Sequence, residues 1–250
     1  MEFWHQRYQQ QASWTQALRL RVYSLVGLAR AERVLEVGCG TGVITHDLHQ
    51  QTGARVYGLD LSYPAVAFAA RHDPQTCFVQ GDGFSLPFSD HAFDTAITHY
   101  LLLWIGHPER LLRETMRVVR PGGSLLCLAE PDYEGRIDHP DRFKSRGQRQ
   151  ARGLQQRGAD PAIGRKLPGL LTRLGLVEVQ AGILGAEWSA GRPPADIRLE
   201  CQMLALDCGL PTTGRSLEDL VEQEAAAWES GERVLYVPTF YAFGRKAEKL

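Results

Sequence analysis

Val34-Leu35-Glu36-Val37-Gly38-Cys39-Gly40-Thr41-Gly42 joins the pattern of a buried strand to a glycine-rich turn that opens a helix. In such a loop the main chain turns sharply off a strand and a ligand lies directly on the backbone, and glycine permits both. The dinucleotide fingerprint G-x-G-x-x-G needs its third glycine at position 43, where this chain has Val43, so the spacing argues against NAD. The phosphate-cradling pattern G-x-x-x-x-G-K-[ST] is also absent. A plain tight turn is the bland alternative, and the segments that follow weigh against it.

Asp60 ends the next apolar run, Arg55-Val56-Tyr57-Gly58-Leu59-Asp60, so the chain reads strand, helix, strand. A carboxylate at that strand end faces the ligand crevice of an open α/β sheet, and as an acceptor-only group it can take both hydroxyls of a ribose. Helix capping is a weaker explanation, because Ser62 already supplies a cap before Pro64. A third segment, Phe78-Val79-Gln80-Gly81-Asp82-Gly83-Phe84, again places an acid and glycines after a strand, although Gly-Asp-Gly is good turn chemistry by itself. A fourth strand and its loop lie in Thr95 to Trp104. Val118-Val119-Arg120-Pro121-Gly122-Gly123 reads as a helix stopped by Pro-Gly-Gly, leading into a fifth strand, Ser124 to Glu130, apolar on both faces.

Taken in order, the segments from about residue 30 to 131 resemble the motifs of the class I S-adenosylmethionine (AdoMet) methyltransferases, of the small-molecule, type 11/25-like kind. The resemblance implies an α/β fold: a Rossmann-like, doubly wound, seven-stranded sheet with an antiparallel last strand and a helical cap from insertions around strand 6. It implies AdoMet as cofactor and S-adenosyl-L-homocysteine as product. Gly38, Cys39, Gly40 and Gly42 would form the loop under the methionine part, and Glu36 would act by its charge near the amino group. Asp60, with Leu61 after it, would hold the ribose, and Gly81, Asp82, Gly83 and Phe84 the adenine. His99 and Tyr100 would border the methyl position. From the polar and aromatic N-terminal stretch, Tyr8 and Arg19 would hold the carboxylate of AdoMet, with Arg21 an equal alternative to Arg19.

Methyl transfer from a sulfonium is an in-line displacement, so a base is needed only for a protonated acceptor. His99, Glu130 and Tyr133 are the candidate catalytic residues, Glu130 and Tyr133 because Glu130-Pro131-Asp132-Tyr133-Glu134 falls at the carboxyl edge of the sheet. Their bland roles are pocket shaping for His99 and a solvated turn for the acidic cluster. The fourth-strand segment Thr98-His99-Tyr100-Leu101 lacks the Asn-Pro-Pro-Tyr type motif of adenine and glutamine N-methyltransferases, and that region has no Pro-Cys nucleophile. No metal site is expected. A small-molecule acceptor methylated at N, O or C remains, with an RNA methyltransferase or a non-catalytic AdoMet-binding protein as the alternatives.

The whole-chain charge of −1 over 250 residues shows no basic excess for nucleic acid. Five scattered cysteines without metal-ligand spacing fit a reduced, cytoplasmic protein. No apolar run approaches the roughly 18 residues of a spanning helix, so no membrane is expected, and the chain is read as a monomer or homodimer. From Arg136 through Arg173 there are ten Lys or Arg against three Asp, with Arg142, Arg146, Arg149 and Arg152 at helical spacing; from Glu187 through Glu232 there are ten acids against three Arg. Two insertions of opposite charge are suited to pack together as a cap. The predicted organisation is an N-terminal helical cover over 1–29, an AdoMet-binding core over 30–131, a cap insertion over 132–160, a core helix and sixth strand over 161–186, a second cap insertion over 187–232, and a seventh strand and tail over 233–250.

Overall fold

A computed structural model describes residues 1–186 and 193–248. The chain opens with a 25-residue helix α1 (Glu2–Val26), closed by Gly27 in the left-handed region. It then alternates: β1 (Arg33–Val37), α2 (Val43–Gln51), β2 (Arg55–Asp60), α3 (Tyr63–His72), β3 (Cys77–Gln80), β4 (Phe93–His99), α4 (Pro108–Val118) and β5 (Val119–Pro131). A short strand β6 (Ile137–His139), helices α5 (Lys144–Gln156) and α6 (Ile163–Arg173), and strand β7 (Leu176–Leu184) follow. Then come α7 (Ile197–Asp207), α8 (Arg215–Glu229), a short β8 (Val234–Tyr236) and β9 (Thr239–Lys246).

The main sheet has seven strands in the order β3-β2-β1-β4-β5-β9-β7. Pairing is parallel from β3 through β5, and β9 runs antiparallel to both β5 and β7. This is the doubly wound, Rossmann-like sheet with an antiparallel final strand. Both faces are covered, which is why the strands read as nearly continuous apolar runs. Leu35, Val37, Leu125 and Cys127 join one core with residues of α4 and α6; their sequence neighbours Val34, Leu126 and Leu128 join the other with α1 and α2.

The chain reverses direction across the sheet between β1 and β4. In open α/β sheets, the carboxyl ends of the strands at such a switch form the ligand crevice. Ser62 caps α3 as expected, its hydroxyl accepting from Ala65 N, with Pro64 in the first turn. At the start of β5 the reading needs correction. α4 ends at Val118 and Val119 is already paired with Phe93, so the strand begins before Pro-Gly-Gly instead of after it.

The two oppositely charged insertions meet. Arg142 donates to Glu232 at 3.1 Å, Arg146 to Glu224 at 2.8 Å, and Arg157 to Asp207. Arg142 lies in a short 3-10 turn before α5 and not in the helix itself. β6, in the first insertion, and β8, just after the second and inside the stretch expected to hold only the last strand and tail, form a second, two-stranded antiparallel sheet that the sequence pattern did not reveal. Just before β8, the buried Arg233 donates at 2.8 Å to Asp138 and at 2.8 Å to Glu224, and its guanidinium stacks on Phe143. The first six residues of the acidic insertion, 187–192, and the tail residues 249–250 lie outside the described residues. Among the described residues no helix is long and apolar enough to cross a membrane.

Candidate functional site

At the switch between β1 and β4 lies a cavity of about 280 Å³. Its floor is the turn after β1. Gly38 N and Cys39 N both donate to Leu59 O, at 2.7 and 3.0 Å, which ties the turn to β2. Gly40 N donates to Asp60 Oδ2 at 2.8 Å, and Ser62 N donates to Asp60 Oδ1 at 2.8 Å. Gly38 and Gly40 have φ of 78° and 51°. Both conformations call for glycine, and a Cβ would also stand 2.6 Å from Leu101 Cδ1 at Gly38 and 2.8 Å from Tyr8 Cε2 at Gly40, displacing those side chains.

Of the predicted residues, Tyr8, Glu36, Gly38, Cys39, Gly40, Asp60, His99, Tyr100 and Tyr133 line this cavity. Glu36 is 2% exposed and accepts from Thr45 Oγ1. Burial, assisted by the nearby charge of Asp60, pushes its carboxyl up to about 8. Such a group is suited to meet a ligand cation, whose charge would draw off its proton.

His99 is buried, and its Nε2 lies 2.9 Å from Thr15 Oγ1 on α1. Burial, with Arg19 nearby, lowers its pKa to about 3. A neutral imidazole with so little affinity for a proton does not fit the general-base role expected for it. It shapes the wall and fastens α1 to the sheet. Tyr133 faces the cavity, and burial raises its hydroxyl well above the usual tyrosine range, so it holds its proton.

Three expectations are corrected by the geometry. Glu130 is fully buried outside the cavity, and its carboxyl accepts from the backbone N–H groups of Leu101, Leu102 and Leu103 at 3.0, 2.9 and 3.1 Å. It holds the loop after β4 in place and lines neither this cavity nor its neighbour. That loop begins at Tyr100, a non-glycine residue with φ of 52°, a conformation costing about 1–3 kcal/mol that its surroundings must hold. Arg19 is also turned away: it donates to Asp47 Oδ2, Ala12 O and Thr15 Oγ1 at 3.1, 2.6 and 2.6 Å. The cation that α1 brings to the cavity is Arg7, which the sequence reading missed. Gly42 turns from the cavity as well, since a Cβ there would meet Phe78 and Ala69.

The adenine segment is only partly placed. Gly81, Asp82, Gly83 and Phe84 follow β3 on the same edge of the sheet, and Leu61 follows β2, but none lines the cavity. Asp82 is exposed and accepts from Phe84 N at 2.8 Å, while Arg110 covers the Phe84 ring at 5.1 Å.

Residues 35–127 match a family described as a methyltransferase domain. A demethylmenaquinone methyltransferase of Renibacterium salmoninarum is 34% identical over 112 residues, which is 45% of this chain and 47% of that protein. A malonyl-[acyl-carrier protein] O-methyltransferase of Hahella chejuensis is 34% identical over 110 residues, 42% of this chain and 39% of that protein. The matched part is thus less than half the length of either relative. In overall structure the chain resembles Haemonchus contortus phosphoethanolamine N-methyltransferase 2, solved with S-adenosyl-L-methionine, with a TM-score of 0.54 at 16% identity, over 87% of this chain and 49% of that one.

Proposed function

We propose that this chain, a member of the class I AdoMet-dependent methyltransferases by residues 35–127, transfers the methyl group of AdoMet to a small-molecule acceptor. The observation that carries this reading is the convergence of Glu36, the Gly38–Gly40 turn and Asp60 on one cavity at the switch of the sheet. The residues present fit the cofactor. Glu36 offers a buried carboxyl to an ammonium group, the turn offers backbone without Cβ atoms, and Asp60 offers the lone pairs that Gly40 and Ser62 leave over. Bound AdoMet supplies an electron-poor methyl group on a sulfonium.

The chain's own contribution is alignment and exclusion of water, which can supply about 7–11 kcal/mol when reacting atoms are well held. His99 and Glu130 are withdrawn from proton transfer by burial, and Tyr133 keeps its proton and can donate to an acceptor oxygen. The acceptor is therefore one that arrives with a free lone pair or an ionised oxygen. Two relatives of equal identity are named for unlike acceptors, so the shared segment carries the cofactor half of the reaction and leaves the acceptor to the rest of the chain. Of the basic face proposed for an RNA acceptor, Arg142 and Arg146 are engaged with Glu232 and Glu224, which weighs against RNA, while Arg149 and Arg152 are exposed.

Calorimetric titration with AdoMet, S-adenosylhomocysteine and NADH tests the reading. Binding of the first two and not of NADH is expected, with at least about tenfold weaker binding in Asp60→Ala through lost hydrogen bonds to the charged group. Unchanged affinity in Asp60→Ala would refute the site. Binding without turnover over a broad panel of acceptors would favour a non-catalytic AdoMet-binding protein.

A further inference from the structure

A second cavity, of about 570 Å³, adjoins the first. Arg7, Tyr100, Tyr133 and Met203 line both and form the wall between them. Three aromatic residues line it, Trp14 from α1 beside Arg7, the buried Trp228 from α8, and Tyr236 from β8. Its lining mixes these rings with charged and polar groups, among them Arg7, Arg136, Asp196 and Glu200, and a concave site of this size holds a small organic ligand.

Arg7 is the unusual group in that wall. Its side chain is 7% exposed, lies over the Trp14 ring at 4.9 Å, and is held through Nη1 by Gln10 and Glu200, each at 2.5 Å. Its Nε is buried and has no hydrogen-bond partner. Buried donors are nearly always paired, so an unpaired N–H on an otherwise fastened guanidinium at a cavity wall points to a ligand oxygen as its partner. Arg136, also on this cavity, is committed to Asp138 and Gln150. Aromatic surroundings alone would suit a cation as well as a flat ring. Glu200 and Asp196 also line the cavity, and Glu200 offsets the charge of Arg7, so what decides between them is the unpaired Nε–H, which calls for an acceptor oxygen that an ammonium group does not have.

We infer that the second cavity is the acceptor chamber and that it takes a planar aromatic compound whose carboxylate or phenolate oxygen accepts from Arg7 while the ring packs among Trp14, Trp228 and Tyr236. This rests on the AdoMet reading of the first cavity, since a donor there would place its methyl at the shared wall.

The probes are 2-naphthoate and the cationic 2-naphthylmethylammonium, followed by calorimetry and by tryptophan fluorescence of the full chain, with and without saturating S-adenosylhomocysteine. 2-Naphthoate is expected to bind at least about tenfold more tightly than the cation, to quench the tryptophans, and not to displace S-adenosylhomocysteine. Arg7→Met should abolish that preference, and Arg7→Lys, which keeps the charge facing Glu200, should lose most of it; because Arg7 also borders the first cavity, Trp14→Ala, on the second cavity alone, is the variant expected to weaken 2-naphthoate and leave S-adenosylhomocysteine affinity unchanged. Equal or tighter binding of the cation, displacement of S-adenosylhomocysteine by 2-naphthoate, or Arg7 variants that weaken the nucleoside instead of 2-naphthoate would each overturn the inference. Failure of S-adenosylhomocysteine to bind would count against the cofactor reading alone, because the preference between the two probes is also measured without it.

Discussion

Glu36 shows how one residue couples proton and ligand. Burial holds its carboxyl at about 8, so the acid form prevails at neutral pH, whereas the ionised form is the one that attracts an ammonium group. AdoMet affinity should therefore rise from pH 6 to pH 8, by up to about tenfold per unit, and fall again above, where the ligand's own α-amino group loses its proton. Glu36→Gln should bind weakly with no such slope, and titrations at both pH values check this; equal wild-type affinities would sink it. Glu130 makes the complementary case. Glu130→Ala would leave three buried N–H groups at Leu101, Leu102 and Leu103 without an acceptor, a loss of at least about 2 kcal/mol in denaturant unfolding, while Glu130→Gln should retain part of it. Glu36 and the glycines were legible because one continuous stretch of backbone makes the turn. Glu130 was misread since an acid at a strand's carboxyl end looks the same whether it faces a ligand or a neighbouring loop. Arg7 was missed because an arginine on a long polar helix reads as solvated; its one signal was Gln10 and Trp14 at helical spacing on the same side.

At the scale of elements, the parallel half of the sheet was legible from apolar runs separated by turn chemistry, since a strand covered on both faces has little freedom in composition. β6 and β8 were not. Each is three residues long, and the partners lie almost a hundred positions apart, so neither carries a periodic pattern of its own. The contact between α5 and α7 depends on Gly153, where a Cβ would come 1.7 Å from Asp207 O. Gly153→Ala gains helix propensity of roughly 1 kcal/mol in isolation, yet it should destabilise the protein because the helices must separate. Thermal unfolding decides the sign: a raised melting temperature would show that the two helices do not rely on that approach.

Across the whole molecule, opposite charge balances in the two insertions foretold that they meet but not how. The joint is a buried cluster in which Arg233 serves Asp138 and Glu224, unlike the exposed pair Arg142–Glu232, whose worth is about 0–1 kcal/mol. Removing one partner of a buried set strands the others, so Arg233→Ala should cost about 3–5 kcal/mol. It should also split unfolding into two transitions, the cap before the sheet; a single transition of unchanged midpoint would show that the joint does not hold the halves together. α1 runs beside both cavities, with Tyr8 against Gly40 in one and its neighbour Arg7 at the wall of the other. Adjacent residues on one rigid helix cannot be set independently. Whichever ligand arrives first therefore fixes part of the other's wall, and each should raise the other's affinity by the same factor, whatever the order of arrival.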